Sequence, residues 1–309
     1  NIEPYAWVLN KSVLAAGTTD PLLSARLAGE RQQMARLTAG LAQRLFTLPW
    51  LTVPPIGFAA LSRLVAKAPA DAYTLGIGFN GPIAFGPYMY KKMSYDVNKD
   101  LMPVALTAVV PLGLVVNPKL PVKNVQEFVR HARDKAGQLS YGSAGNGNVT
   151  HLAAFQVVQH YQIEASHVPY KGSAPADVDL VAGQIDFMTD TINSVAPFIK
   201  EGRLKLLAVS SSKRLPNFPD APTLAESGMS GFEAGAWQGV MVPAKTPAAI
   251  IQRLNQELMR ALKDPGVVEK LQLQGAEGLG STPEEYGAYI RSEIKRWAGV
   301  VKSTGVSLD

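Results

Sequence analysis

The feature that most constrains the fold of this chain is a regular alternation of short apolar strands and amphipathic helices that starts at Tyr73. A strand followed by a helix and another strand places the two strands parallel in one sheet, with the helix packed on its face. We therefore predict an α/β fold. The strands predicted in the middle of the chain cover 139–141, 166–168, 185–189 and 204–209, and the helices cover 149–159, 174–182 and 193–201. Before them, Asn124 with Glu127 forms a capping pattern that opens a helix to about Ala136.

One strand-to-helix junction is rich in glycine and in small polar side chains. Three glycines lie within 142–147, and glycine adopts backbone angles that other residues avoid and lets a ligand approach the main chain. The N–H groups that open the following helix have no partner inside it and carry the positive end of its dipole. Ser143, Asn146, Asn148 and Thr150 add neutral donors, so the turn is suited to a small carboxylate without an arginine or lysine. A plain turn capped by Asn148 explains the same residues equally well.

Three further junctions have the same character. They are His167–Asp177, Gly183–Asp190 and Ala15–Asp20, each of which leads from a strand toward a helix. In open parallel sheets ligands bind outside the carboxyl ends of the strands, where such junctions gather. Four polar, glycine-bearing turns without an acid–base constellation are more typical of a binding protein than of a catalyst.

Composition excludes several classes of site. The chain has no cysteine, which excludes disulfides, thiol nucleophiles, thiolate zinc sites and iron–sulfur clusters. Its net charge of +5 comes from basic residues that alternate with acids, so we expect no nucleic-acid partner. The most apolar stretch, Val104–Val116, is shorter than the roughly 18 residues of a membrane span and contains Pro111.

Two motifs suggest other chemistry but lack its context. Residues 76–81 match the glycine pattern of a dinucleotide site, yet Pro82, Gly86 and Pro87 interrupt the helix that such a site requires. No histidine pair has the spacing of a zinc protease, and no acidic cluster accompanies the histidines, so we expect neither a metal nor a cofactor. His151 lies in the first turn of the helix after the glycine-rich turn, where it either contacts a ligand or only caps and packs.

A serine hydrolase is the alternative function. It would use Ser143 as nucleophile together with His151 and Asp190, although the nucleophile elbow Gly-x-Ser-x-Gly is absent.

The ends of the chain indicate a second domain. Thr246 is predicted as an N-cap followed by Pro247 at the first helical position, and Thr282 with Glu285 forms a capping box before a C-terminal helix. These helices need a sheet to cover, and the nearest incomplete one is the N-terminal unit. We therefore predict a discontinuous domain I of residues 1–104 with 227–309, and a domain II of residues 105–226.

Three segments taken together resemble the Bug-type periplasmic solute receptors of tripartite tricarboxylate transporters. They are the Gly-Ser-Ala-Gly-Asn-Gly-Asn-x-x-His turn at 142–151, the Val-Pro-Tyr-Lys-Gly turn at 168–172 and Gly-Gln-Ile-Asp at 183–186. The likeness continues through Leu207-Ala-Val-Ser, Arg214, Pro219-x-x-Pro-Thr223 and Phe232-x-x-x-x-Trp237-x-Gly239. It runs from about Leu64 to the C terminus, whereas the front of the chain keeps only the end of the family's first pattern, at Ala15–Asp20.

The resemblance implies a two-lobed periplasmic-binding-protein-like architecture, in which each lobe is a mainly parallel sheet flanked by helices and a cleft lies between the lobes. It implies a monomeric, non-enzymatic periplasmic receptor that binds a small organic acid and delivers it to membrane permease subunits. The acid is a di- or tricarboxylate, an amino acid or an aromatic acid. With His151 added from the residue-level argument, the expected ligand-binding residues are Ala16, Gly17, Thr18, Thr19, Asp20, Asn80, Ser143, Ala144, Gly145, Asn146, Gly147, Asn148, His151, Tyr170, Gly172, Ser173 and Asp190.

Overall fold

The computed structural model describes residues 6–12, 44–49 and 65–308, apart from Ala72 and Gln274. The chain divides into two compact units, Asn1–Ala60 and Leu61–Asp309. In the first unit, strand β1 (Ala6–Ser12) pairs in parallel with β2 (Arg44–Pro49).

The second unit contains one sheet with helices packed on it. Its strands are β3 (Gly76–Phe79), β4 (Leu101–Val116), β5 (Leu139–Ser143), β6 (Ala165–Pro169), β7 (Phe187–Thr191), β8 (Lys205–Val209), β9 (Gly235–Pro243) and β10 (Glu277–Gly278). A π-helical turn (Asn80–Phe85) precedes the helices α1 (Gly86–Met89), α2 (Val97–Asp100), α3 (Val125–Asp134), α4 (Val149–His160), α5 (Ser173–Ala182), α6 (Ile192–Lys200), α7 (Ala248–Leu262), α8 (Pro265–Leu273) and α9 (Pro283–Thr304).

The long strand β4 belongs to two different parts of this sheet. Residues 101–111 pair with β9, which also pairs with β3. Residues 112–116 pair with β7 on one side and β8 on the other. We call β3, β9, β10 and residues 101–111 the first half of the sheet, and β5–β8 with residues 112–116 the second half. The exchange of partners falls at Pro111, which has no N–H to donate to a ladder.

The strand directions differ in part from the expectation of mainly parallel sheets. The predicted parallel pairing is found between β5 and β6 and between β5 and β7. The pairs of β4 with β7, β8 and β9, and of β3 with β9, are antiparallel. β4 is the apolar run Val104–Val116 extended by three residues, and its 112–116 segment is almost wholly buried because it has a strand on both sides.

Side-chain caps start three of the helices where the sequence predicts them. Asn124, Asn148 and Thr282 each accept a hydrogen bond from an N–H of the first turn, and Thr282 with Glu285 forms the complete capping box. The prediction of Thr246 as an N-cap is wrong. Its hydroxyl donates to the Pro243 carbonyl instead, and α7 begins after Pro247 with no side-chain cap.

Each half of the sheet has its own apolar core. In the first half, Trp237 of β9 and Trp297 of α9 both donate their indole N–H to the buried Glu293 carboxylate at 3.0 Å. In the second half, Phe128 of α3 meets Phe187 of β7 edge-on with ring centres 4.9 Å apart. Within the described part of the chain, no helix has both the length and the apolar character needed to cross a bilayer.

Candidate functional site

The predicted ligand-binding turns of the second half lie at one edge of the sheet. Ser143 ends β5, Tyr170 follows β6 and Asp190 lies near the end of β7, and these three strands run parallel. Main-chain hydrogen bonds join the first two turns, because the Tyr170 N–H donates to the Ser143 carbonyl at 3.0 Å and the Gly172 N–H to the Ala144 carbonyl at 3.2 Å. The structure therefore brings these predicted residues together.

The glycine-rich turn is held by its own side chains. Gly145 and Gly147 have φ angles of +129° and +70°, which favour glycine. The Ala144 N–H donates to Thr150 Oγ1 at 2.9 Å, and Asn148 Oδ1 accepts from the Thr150 N–H at 3.1 Å. Thr150 is thereby used inside the turn, whereas Asn146 is exposed to solvent.

Ser143 contacts a histidine that the sequence analysis did not select. Its Oγ is fully buried and lies 2.7 Å from Nε2 of His167. The His167 ring stacks on His151, with ring centres 3.9 Å apart and planes 9° from parallel. His151 Nδ1 accepts the Gly147 N–H at 3.2 Å, so this nitrogen carries no proton.

Burial keeps both imidazoles neutral. It lowers the pKa of His151 and of His167 to about 4, and for His151 the neighbouring His167 adds to the effect. The structure does not assemble Ser143, His151 and Asp190 into the relay of a serine hydrolase. Ser143 bonds to His167, His151 bonds to Gly147, and Asp190 bonds to Ser173 and Thr191.

Asp190 forms a buried pair with a second carboxyl group, Asp177 of α5. Neither side chain is more than 2% exposed. Burial and, second to it, the charge of Asp177 together raise the pKa of Asp190 to about 7, against the opposing effect of hydrogen bonds from Ser173 and Thr191. Burial also raises the pKa of Asp177, while hydrogen bonds from Ser194 and Asp190 oppose that rise. The two carboxyl groups therefore hold a proton that isolated carboxylates would have lost.

The other predicted residues have different surroundings. Asn80 lies in the first half of the sheet, where its Nδ2 donates to the Gly235 carbonyl and its Oδ1 accepts the Trp237 N–H, both at 3.1 Å. It thus fixes the start of β9. Tyr170 donates to Asp179 at 2.7 Å, and burial with this carboxylate raises the pKa of Tyr170 to about 12. Ala16, Gly17, Thr18, Thr19 and Asp20 lie outside the described residues.

His167 and Asp177 are the residues at this edge that sequence reasoning missed. His167 lies opposite Tyr141 in the parallel pairing of β5 and β6. The sequence alone does not reveal this position, because it depends on these two strands being neighbours in the sheet. Asp177 had a local signal. It lies four residues after Ser173, on the same helix face as the apolar Ala176 and Leu180, where a charged side chain is unusual.

The structure also has a groove away from this edge, and the arrangement of the described residues bears on metal binding. A groove of about 670 Å³ lies at the carboxyl end of α4, between Phe155, Met229 and Val300, and no predicted site residue lines it. Among the residues that the structure describes, no group of three or more histidine, aspartate or glutamate side chains is placed to hold a metal ion.

Polar turns cluster at the ends of β5, β6 and β7, and each turn leads into the N-terminus of a helix. This arrangement is that of a ligand-binding α/β protein. Comparison with known proteins gives the family. Residues 54–306 match the model of the tripartite tricarboxylate transporter family receptor. The chain belongs to this family.

Individual relatives agree with this assignment. The protein BugT of Bordetella pertussis is 34% identical over 283 residues, which cover 91% of this chain and 87% of BugT. A solved structure described as R. palustris Rpa4515 with adipate is 32% identical, with a TM-score of 0.76 and coverage of 98% of this chain and 99% of the other.

Two more solved structures share the fold. MatC (Rpa3494) from Rhodopseudomonas palustris with bound malate has a TM-score of 0.71 and 29% identity, covering 96% of this chain and 98% of MatC. The periplasmic binding protein BugD has a TM-score of 0.73 and 29% identity, covering 98% and 99%. The α/β architecture is therefore that of periplasmic solute-binding receptors.

Proposed function

We propose that this receptor binds a small organic carboxylate at the edge formed by the turns after β5, β6 and β7. The observation that carries the proposal is the joining of the turns after β5 and β6 by main-chain hydrogen bonds, which brings the starts of α4 and α5 together. α5 begins without a side-chain cap, so the N–H groups of its first turn remain for a ligand. The adipate and malate of the two related structures are carboxylates of this class.

The energetics of such a site are adequate without a cationic side chain. Hydrogen bonds to a charged group contribute roughly 1.5–3 kcal/mol each. About four or five of them supply the roughly 8 kcal/mol of a micromolar complex before ordering costs. The ligand is a di- or tricarboxylate, an amino acid or an aromatic acid.

The proposal also covers where the protein is located, which partner receives its solute, and its lack of catalytic activity. We propose a monomeric periplasmic protein that hands its solute to the membrane permease subunits of a tripartite tricarboxylate transporter. BugD, which shares the fold, is described as periplasmic. The protein does not act as a hydrolase, in keeping with a fully buried Ser143 whose partner His167 bonds to no carboxylate among the described residues. A fluorophosphonate probe should leave Ser143 unlabelled.

The test of the carboxylate site places a charge in it. We expect Asn146→Asp to weaken carboxylate binding about tenfold in titration calorimetry, because like charges roughly 6 Å apart at an effective dielectric constant of about 40 repel by about 1.4 kcal/mol. Gln159→Glu, at the exposed far end of α4, changes the net charge equally and should bind as the unmodified protein does. Equal affinities in the two variants would place the solute elsewhere, and failure of every carboxylate class to bind would refute the function.

A further inference from the structure

The inference concerns the hydroxyl group of Ser173 and rests on the proposed function. Ser173 is the first residue of α5 and is only partly buried, at the edge where the turns after β5 and β6 meet. Its Oγ lies 2.9 Å from Oδ1 of Asp190. This contact decides which hydrogen-bonding role the hydroxyl retains for a ligand.

The direction of the Ser173 hydrogen bond follows from the other partners of Asp190. The Thr191 N–H donates to the same Oδ1 at 2.6 Å, and the Thr191 hydroxyl approaches it at 3.4 Å. An oxygen that accepts a backbone N–H at this distance carries no proton of its own. Ser173 is therefore the donor, and its single hydrogen points toward Asp190.

Asp177 keeps this arrangement in place when the carboxyl pair is protonated. Asp177 Oδ2 accepts from the Ser194 hydroxyl, and Asp177 Oδ1 and Asp190 Oδ2 are both buried without a hydrogen-bond partner. A proton held by the pair therefore lies on one of these last two oxygens, because the other two accept hydrogen bonds, and Asp190 Oδ1 stays free to accept. The groups that face the pair are hydroxyls and the Thr191 N–H, and no described lysine or arginine forms an ion pair with either carboxyl group.

We propose that Ser173 is a specificity residue that accepts a hydrogen bond from the solute, so that the site selects carboxylates with a hydroxyl or ammonium donor near the carboxylate. Only lone pairs of the Ser173 oxygen remain for the solute. A donor on the solute satisfies them, whereas a plain hydrocarbon chain leaves them without a partner. A carboxylate oxygen at the same place would be repelled, because it and the Ser173 oxygen would both be acceptors without a hydrogen between them.

The test compares acids that differ only in the donor. We expect L-malate to bind about tenfold tighter than succinate in titration calorimetry, and 2-hydroxyglutarate tighter than glutarate. Ser173→Ala should bring both ratios close to one, mainly by weakening the hydroxylated acids. Ser166→Ala, at an exposed serine of β6 away from the turn, is the matched control and should keep both ratios.

Asp190 is a positioning residue in this proposal, and two substitutions separate its role from packing. Asp190→Asn keeps an acceptor oxygen for Ser173 and offers an N–H to Asp177, so the preference for malate should be retained. Asp190→Ala releases the Ser173 hydrogen, and the ratio should fall as in Ser173→Ala. If Asp190→Ala does not fold, the contrast between Asp190→Asn and Ser173→Ala still decides the question.

The outcomes distinguish this inference from the proposed function. If succinate and malate bind equally and Asn146→Asp weakens both, the carboxylate site stands and the role of Ser173 is refuted. An unchanged malate preference in Ser173→Ala also refutes it. If no carboxylate binds, both proposals fall together.

Discussion

At the scale of single residues, the candidate site contains two buried pairs that titrate in opposite senses. The imidazoles of His151 and His167 are held neutral by burial, and the carboxyls of Asp177 and Asp190 are held partly protonated by burial and by each other. The folded protein thus binds fewer protons than the unfolded chain at the histidines, and more at the carboxyl pair. The two pairs oppose each other in the pH dependence of stability.

The histidine pair should make the protein sensitive to acid. Because the pKa of each ring falls from about 6.5 to about 4 on folding, its contribution to stability is complete above pH 6.5 and is lost as the pH falls toward 4. We expect His167→Gln, which preserves polar atoms near Ser143, to lose less unfolding free energy than the unmodified protein between pH 6.5 and 4. Urea unfolding at each pH measures this, and parallel pH profiles would contradict it.

The carboxyl pair should act in the opposite direction. The pKa of Asp190 is raised to about 7 on folding, so the proton that it binds stabilises the folded state at low pH, and this stabilisation is lost as the pH rises from about 4 through 7. Asp177→Asn replaces one carboxyl group by an amide, which removes the charge of Asp177 but not the burial of Asp190, and should reduce that loss. We expect its unfolding free energy to rise relative to that of the unmodified protein between pH 5 and 8. A constant difference across this range would show that the two carboxyls do not share a proton.

At the scale of elements, glycines allow the strands and helices to pack closely. Gly239 lies in the middle of β9, and a Cβ built there would clash with the ring of Tyr286, a fully buried residue of α9. Gly299 lies within α9 and has nothing within 4 Å of such a Cβ. A side chain at position 239 would therefore clash with its surroundings, whereas position 299 has room for one.

This difference predicts opposite effects of the same substitution. Gly239→Ala should destabilise the fold by about 1–3 kcal/mol, because the Tyr286 ring cannot move out of its packed position. Gly299→Ala should stabilise it by about 0.5–1 kcal/mol, because alanine loses less backbone entropy in a helix. Thermal and urea unfolding of the two variants test this pair, and a Gly239→Ala protein as stable as Gly299→Ala would show that β9 and α9 are loosely packed.

At the scale of the whole molecule, β4 is the strand that both halves of the sheet share. Next to its exchange of partners, the Leu112 N–H donates to Ser210 Oγ at 2.7 Å, and the Ser210 hydroxyl donates to the Ala234 carbonyl. The two places where the chain passes between the halves, within β4 and between β8 and β9, are thus bonded to one another. The predicted boundaries at 104–105 and 226–227 lie a few residues before the observed exchange at Pro111 and the start of β9. The domain division itself stays a prediction.

A receptor of two halves should change their arrangement when solute binds. The chain has no cysteine, so introduced cysteines can be spin-labelled selectively. We expect the distribution of distances between labels at Lys135→Cys and Lys263→Cys, one in each half, to shift and to become narrower when solute binds. Labels at Lys135→Cys and Lys200→Cys, both in the second half, should not respond. An unchanged first distance, with binding verified in the labelled sample, would show that the halves do not move.

The sequence by itself determined the local parts of this protein. The strand–turn–helix segments after Leu139, the caps at Asn124, Asn148 and Thr282, and the gathering of polar turns at one sheet edge follow from periodicity and from the N–H groups of helix starts. These properties depend on residues a few positions apart, and they are repeated in the family motifs that the sequence carries.

Only the tertiary structure decided which distant residues meet. The antiparallel pairing of β4 with β9, the contact of Ser143 with His167 and the pairing of Asp177 with Asp190 join segments far apart along the chain. The hydrolase alternative paired Ser143 with His151, but the parallel register of β5 and β6 places His167 beside Ser143. Such contacts depend on the order and direction of strands in the sheet, which burial of the whole core selects and local pattern does not.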